Sequence, residues 1–141
     1  MRDDTVTITQ SDIDKIVMNA YDAYPEECCG LMFSGHTKDV TIDASYEMVS
    51  SEGSNDHFVM DPLELAKKEN EYSQRGYEIM GFYHSHPEGG AYPSREDEEY
   101  MIPNMVYLIV SLKHGRCSGI TAWIKDDLYK APIQLKVCGR V

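Results

Sequence analysis

Apolar and polar positions alternate first in "TVTIT" (5–9), a β-branched run that predicts a short opening strand. The period then lengthens. Ser11 offers an N-cap with Asp12 and Asp14 in the first turn, and "DIDKIVMNAYDAY" follows at helical spacing until Pro25 stops it. "CCGLMFS" (28–34) is almost wholly apolar and short, which predicts a buried strand closed by Gly35. "VTIDASYEMVS" (40–50) and "DHFVMD" (56–61) predict two more strands around a "SEGSN" turn. Asp61 and Pro62 supply an N-cap and a first-turn proline for a helix running to about Arg75, where Gly76 ends it.

"YEIMGFYHS" (77–85) predicts the next strand, and a Gly/Pro-rich loop leads to a short acidic helix from Ser94. "MVYLIVSL" (105–112) is nearly all apolar, as a strand covered on both faces would be. "SGITAWIK" and "APIQLKV" complete the set, with turns at Gly115 and at Asp126–Asp127. No repeat or low-complexity tract interrupts the pattern. The 141 residues predict a single domain, 1–141, of mixed α/β class with helices packed on a central sheet.

Composition narrows the partners. With 24 acidic against 13 basic residues, the formal charge is −11, and the chain lacks the Lys/Arg stripe that a phosphate backbone requires. A nucleic acid is therefore not an expected partner, whereas a protein with a basic or neutral face is. No apolar run reaches the length of a membrane span, and "MRDDTVTITQ" is no signal peptide, so neither membrane insertion nor export is expected. Cys28 and Cys29 are adjacent, Cys117 and Cys138 stand alone, and no C-x-x-C occurs. This usage predicts buried thiols in a reducing cytoplasm rather than a disulfide framework.

The chemistry concentrates in "FYHSHPEGGAYPSREDEEY" (82–100). Residues two apart on a strand share a face, so His84 and His86 present two imidazoles side by side at the end of a predicted strand. Pro87 marks where that strand leaves its sheet. A histidine pair alone is equally compatible with a satisfied structural corner. A third ligand for a divalent metal is best anionic, and Asp97 is the candidate. Ser94-x-x-Asp97 also reads as a capping box, with Ser94 as N-cap and Asp97 at N3. Two His and one carboxylate, with the fourth position left to water, make the ligand set of a hydrolytic zinc site. Such a site needs a nearby carboxylate as proton acceptor. Glu26 and Glu27 precede a buried strand, but spacing does not choose between them, and on spacing alone two solvated acids in a loop are the better reading.

Together these residues resemble the JAMM motif of the MPN-plus zinc metalloproteases, an upstream glutamate followed by His-x-His-x7-Ser-x-x-Asp. His84, His86, Ser94 and Asp97 match each position, including the seven-residue gap. "YPEECCG" is similar to the family's Pro-x-Glu-x-Cys-Gly stretch and selects Glu27. The resemblance runs from the first strand through "MVYLIV". It implies a cytidine-deaminase-like α/β/α sandwich, one zinc held by His84, His86 and Asp97, Glu27 as general base and then acid, and Ser94 as hydrogen-bond donor to the oxyanion. Ser85 should point to the opposite face and support the strand. Neither H-E-x-x-H nor the H-x-E with P-C-x-x-C of zinc deaminases occurs.

The short stretch from Glu27 to His84 looks like the stand-alone prokaryotic type. Its members act on ubiquitin-like or sulfur-carrier proteins and cleave after a C-terminal Gly-Gly. A deubiquitinase-like isopeptidase is the alternative, and a non-catalytic MPN scaffold a third, although scaffold members usually lack the ligands present here. Gly89–Gly90 lends the loop freedom to close over such a tail or simply to turn, and Tyr92 offers a wall.

Overall fold

A computed structural model describes residues 5–35, 41–49, 60–90, 92–125 and 131–140, together with the backbone but not the side chain of Glu96. The elements run β1 (Thr5–Thr9), α1 (Gln10–Ala23), β2 (Cys29–Ser34), β3 (Thr41–Ile42), β4 (Ala44–Met48), α2 (Pro62–Gln74) and β5 (Glu78–His86). They continue with α3 (Arg95–Tyr100), β6 (Val106–Lys113), β7 (Arg116–Ile124) and β8 (Ile133–Arg140). The "DHFVMD" expectation and the Asp126–Asp127 turn fall on or mostly on residues outside those described.

The strands form one mixed sheet in the order β3-β1-β8-β7-β6-β5-β2-β4. β1 pairs in parallel with β3 and β8, β5 pairs in parallel with β6, and the other neighbours are antiparallel. Its two edge strands, β3 and β4, are separated in the chain by Asp43 alone, so the sheet must curl until its edges approach. The expected single strand 40–50 is therefore two strands meeting at a corner. Asp43 makes that corner: its N–H donates to the Phe33 carbonyl at 3.0 Å, and its Oδ1 accepts the Gly35 N–H at 3.0 Å.

Alternation along each strand sorts the core onto two faces. Cys28, Met32, Tyr83, Leu108 and Val110 cluster with Ile16 and Ala20 of α1 on one face. Cys29, Leu31, Phe33 and Phe82 cluster with Leu65 and Tyr72 of α2 on the other. Tyr72 stacks on Phe33 with ring centroids 4.0 Å apart and planes nearly parallel. Both faces are thus covered, which is why "CCGLMFS" and "MVYLIVSL" carry little polar alternation.

Close packing dictates two glycines. A Cβ at Gly81 would lie 1.9 Å from the Val106 carbonyl oxygen across the parallel β5–β6 pair. A Cβ at Gly30 would enter the Tyr83 ring at 2.2 Å. One expected cap is corrected. Helix α1 starts at Gln10, not after Ser11, because Thr9 leaves β1 in an extended conformation and accepts the Asp12 N–H itself at 3.2 Å. Asp12 is buried there and accepts the Ser45 hydroxyl at 2.7 Å, tying the first turn to β4.

Candidate metal centre

β5 delivers the two histidines. His84 pairs with Cys29 of β2 on one side and Ile109 of β6 on the other, and His86 pairs with Ser111 of β6. Both rings lie on the α2 face, as Phe82 does, by the two-residue period of the strand. The side chain of His84 is 4% exposed and that of His86 13%. After Pro87 the chain turns and returns through α3.

Helix α3 begins in a complete capping box. Ser94 Oγ accepts the Asp97 N–H at 3.0 Å, and Asp97 Oδ2 accepts the Ser94 N–H at 2.8 Å. The box aims Asp97 at the histidines rather than drawing it away. Its same Oδ2 lies 3.1 Å from His84 Nε2 and 3.0 Å from His86 Nε2, and the two Nε2 atoms are 3.1 Å apart. Cap and candidate ligand are one side chain.

These three atoms form a nearly equilateral triangle. A tetrahedral zinc with bonds of about 2.0–2.1 Å has donor–donor edges of about 3.3 Å, so the triangle is slightly tighter than one face of that tetrahedron. The tautomer agrees. His86 Nδ1–H donates to the Gly90 carbonyl at 2.8 Å, leaving the Nε2 lone pair directed at the common point. Two imidazole nitrogens and one carboxylate oxygen around a half-buried point fit a divalent cation of zinc's character.

The field in the site favours positive charge. Burial alone would raise the Asp97 carboxyl, but hydrogen bonds with His84 and His86, the charge of His84 and the Ser94 N–H outweigh it. The group is held well below the usual carboxylate range. For His86, burial acts downward, yet the bonds to Asp97 and the Gly90 carbonyl and the charges of Asp97 and Glu27 raise it overall. Glu27 is therefore near enough to be felt at the His86 ring.

Register accounts for that nearness. Cys29 opposes His84 in the antiparallel β2–β5 ladder, and Ser85 N–H reaches the Cys28 carbonyl at 3.1 Å. The ladder ends at Cys29, and Glu27 lies two residues before it, next to Cys28 in the segment that leads from α1. Glu27 is half-buried, whereas Glu26 is exposed. Ser85 lies on the opposite face, fully buried, and its Oγ accepts the Cys28 N–H at 2.8 Å. Ser94 sits exposed at the rim.

Some of the site was not read from the sequence. The Gly89–Gly90 stretch does not simply lend freedom, since Gly90 holds the His86 ring through its carbonyl. Glu88 joins three segments: it accepts the Tyr24 hydroxyl and, at 3.3 Å, the His114 N–H. A backbone carbonyl has no residue-specific signature, and Glu88 looks like any surface acid. Tyr92 is 73% exposed and leans on Trp123, centroids 5.8 Å apart. Cys28 and Cys29 are buried free thiols as expected, but Cys138 is exposed.

A curled mixed α/β sheet presenting a His-His-Asp triangle at a strand end defines a candidate metal centre of hydrolase type. The model of the family described as prokaryotic homologs of the JAB domain matches residues 9–124, a span containing Glu27, His84, His86, Ser94 and Asp97. The chain belongs to this family, within the JAMM/MPN proteins. Over 115 residues it is 34% identical to a desampylase from Haloferax volcanii, covering 79% of this chain and 80% of that protein. The solution structure of protein DSY2949 from Desulfitobacterium hafniense superposes with a TM-score of 0.82 at 25% identity, over 96% of this chain and 92% of that one. A JAB1/MPN domain protein from Archaeoglobus fulgidus shares the fold at a TM-score of 0.60 and 18% identity, over 94% and 97% of the two chains.

Proposed function

We propose that the protein is a zinc-dependent peptidase or isopeptidase that hydrolyses the bond after the C-terminal Gly-Gly of a small ubiquitin-like sulfur-carrier protein. The observation that carries the reading is the donor triangle of His84, His86 and Asp97, all three atoms within 4.8 Å of one another inside the matched family span. These residues would hold one zinc per chain. When bound, zinc supplies Lewis acidity, polarising the scissile carbonyl and making a bound water acidic near neutral pH.

The protein's own groups do the rest. Glu27, in the segment that enters β2 beside the histidine strand, takes the proton from the attacking water and returns it to the leaving amine. The Ser94 hydroxyl donates to the carbonyl oxygen as charge builds there, a contribution often worth several kcal/mol. Half-burial of Glu27 limits competing water around its carboxylate. The cytidine-deaminase-like sandwich belongs to the same reading, supported by helices on both faces of the sheet.

Selectivity must arise on the approach to the metal ligands. Diglycine has no side chains, so a narrow approach to the ligands, with Tyr92 as one wall, would admit it and reject bulkier tails. The −11 charge suits a carrier with a basic or neutral face around its tail. The desampylase relative favours a second reading of the same site, release of a ubiquitin-like modifier from a protein lysine. The complete ligand set weighs against a non-catalytic scaffold.

The test incubates the zinc-loaded protein with a carrier ending Gly-Gly-X, its Gly-Ala-X variant and a carrier–lysine conjugate, read by intact mass. Cleavage of Gly-Gly-X alone supports the carrier reading, and cleavage of the conjugate alone supports the isopeptidase. Equal loss of X from both tails would overturn the diglycine claim.

A further inference from the structure

Glu27 stands outside any helix or strand, in the segment joining α1 to β2, yet a general base must keep a fixed distance to the proton it takes. Beside the backbone bonds that continue from α1, two described contacts hold that segment from the chain around His86. At its start, the Tyr24 hydroxyl donates to Glu88, two residues past His86. At its end, Ser85, between the two histidines, holds Cys28 twice: Ser85 N–H donates to the Cys28 carbonyl at 3.1 Å, and Ser85 Oγ accepts the Cys28 N–H at 2.8 Å.

The second bond is unusual in kind. An antiparallel pair that exchanges both backbone bonds would send the Cys28 N–H to the Ser85 carbonyl. Here the hydroxyl takes that amide, at a residue with no exposed surface. The residue attached to that amide nitrogen is Glu27, so the bond lies one peptide from the proposed base.

We propose that Ser85 is a positioning residue: its hydroxyl, by holding the Cys28 amide, sets the Glu27 carboxylate at its working distance. This rests on the reading of Glu27 as general base. An alanine at 85 keeps the strand, the face and both histidines, but leaves a buried N–H without its acceptor. The segment then relaxes toward another acceptor and carries Glu27 with it. A displacement of about 1 Å at a catalytic group is enough for a loss of about 100-fold.

The experiment compares Ser85→Ala, Ser85→Thr and Glu27→Gln in the zinc-loaded full chain. It reads zinc content, melting temperature, kcat and KM on a Gly-Gly-X carrier, and hydrogen exchange at the Cys28 amide. Ser85→Ala should keep its zinc, keep KM within about 2-fold, fall modestly in melting temperature as a buried N–H loses its acceptor, lose about 10- to 100-fold in kcat, and exchange the Cys28 amide faster. Ser85→Thr retains the oxygen and should recover most of kcat together with amide protection. Wild-type kcat in Ser85→Ala while Glu27→Gln is inactive would overturn the positioning role alone. Zinc loss in both Ser85 variants would overturn it too, in favour of a purely structural strand residue. Wild-type turnover by Glu27→Gln would overturn the assignment of the base, and with it the role of Ser85.

Discussion

The Nδ1–H of His86 donates to the Gly90 carbonyl at 2.8 Å, and this bond orients the imidazole within the candidate metal centre. It leaves Nε2 as the basic nitrogen, 3.0 Å from Asp97 Oδ2. The turn holding Gly90 is tight, since a Cβ at Gly89 would come within 3.1 Å of the His86 Cβ.

The first prediction concerns metal. Purified protein should hold about one zinc per chain, and a chelator should lower its melting temperature reversibly, since an ion that binds only the folded state stabilises it. His86→Ala and Asp97→Ala should each lose most of the zinc by elemental analysis. Unchanged zinc in both variants would remove the triangle from consideration.

Adjacent acids should differ sharply. Glu27→Gln should reduce turnover by at least about 100-fold, the scale of general acid–base catalysis, with zinc content intact. Glu26→Gln changes an exposed side chain and should stay near wild-type rate. Equal effects of the two substitutions on kcat would contradict the choice of Glu27.

Ser94 caps α3 and faces the rim, so its two roles separate by measurement. Loss of the cap costs about 1 kcal/mol of stability. Loss of a donor to the developing oxyanion costs about 100-fold or more in kcat. Ser94→Ala should show the rate loss with a small fall in melting temperature; a destabilised variant with full turnover would leave only the cap.

The paired thiols should be inert. Burial pushes the Cys28 thiol up to about 11 and the Cys29 thiol up to about 12, so both stay protonated at pH 8. Iodoacetamide on the native protein should label exposed Cys138 first, with Cys28 and Cys29 modified only on unfolding. Peptide mapping that finds all three labelled at one rate would refute this.

Gly81→Ala should be among the most damaging single changes in the sheet. Its methyl meets the Val106 backbone, which cannot rotate aside, so overpacking should cost about 1–3 kcal/mol or more in a urea titration. An unchanged midpoint would show that β5 and β6 separate more easily than their close approach implies.

Local pattern determined much of this protein. The two-residue period placed His84 and His86 on one face, the Ser94-x-x-Asp97 spacing announced a capped helix, and the apolar runs at 28–34 and 105–112 announced covered strands. Such features are legible because they depend on neighbours a few positions apart. Glu27 was selected by the resemblance of "YPEECCG" to the family's stretch, because spacing by itself left Glu26 open. What only tertiary structure decided involves partners far along the chain. The break at Asp43 could not be read, because it follows from β3 pairing with β1 while β4 pairs with β2. The contact that holds Cys28, the neighbour of Glu27, against Ser85 joins residues 57 positions apart, at the end of the packing of β2 on β5. The ring held by Gly90, the amide held by Ser85 and the bridge through Glu88 use backbone groups or ordinary side chains. Their roles exist only once the sheet has curled and brought them together.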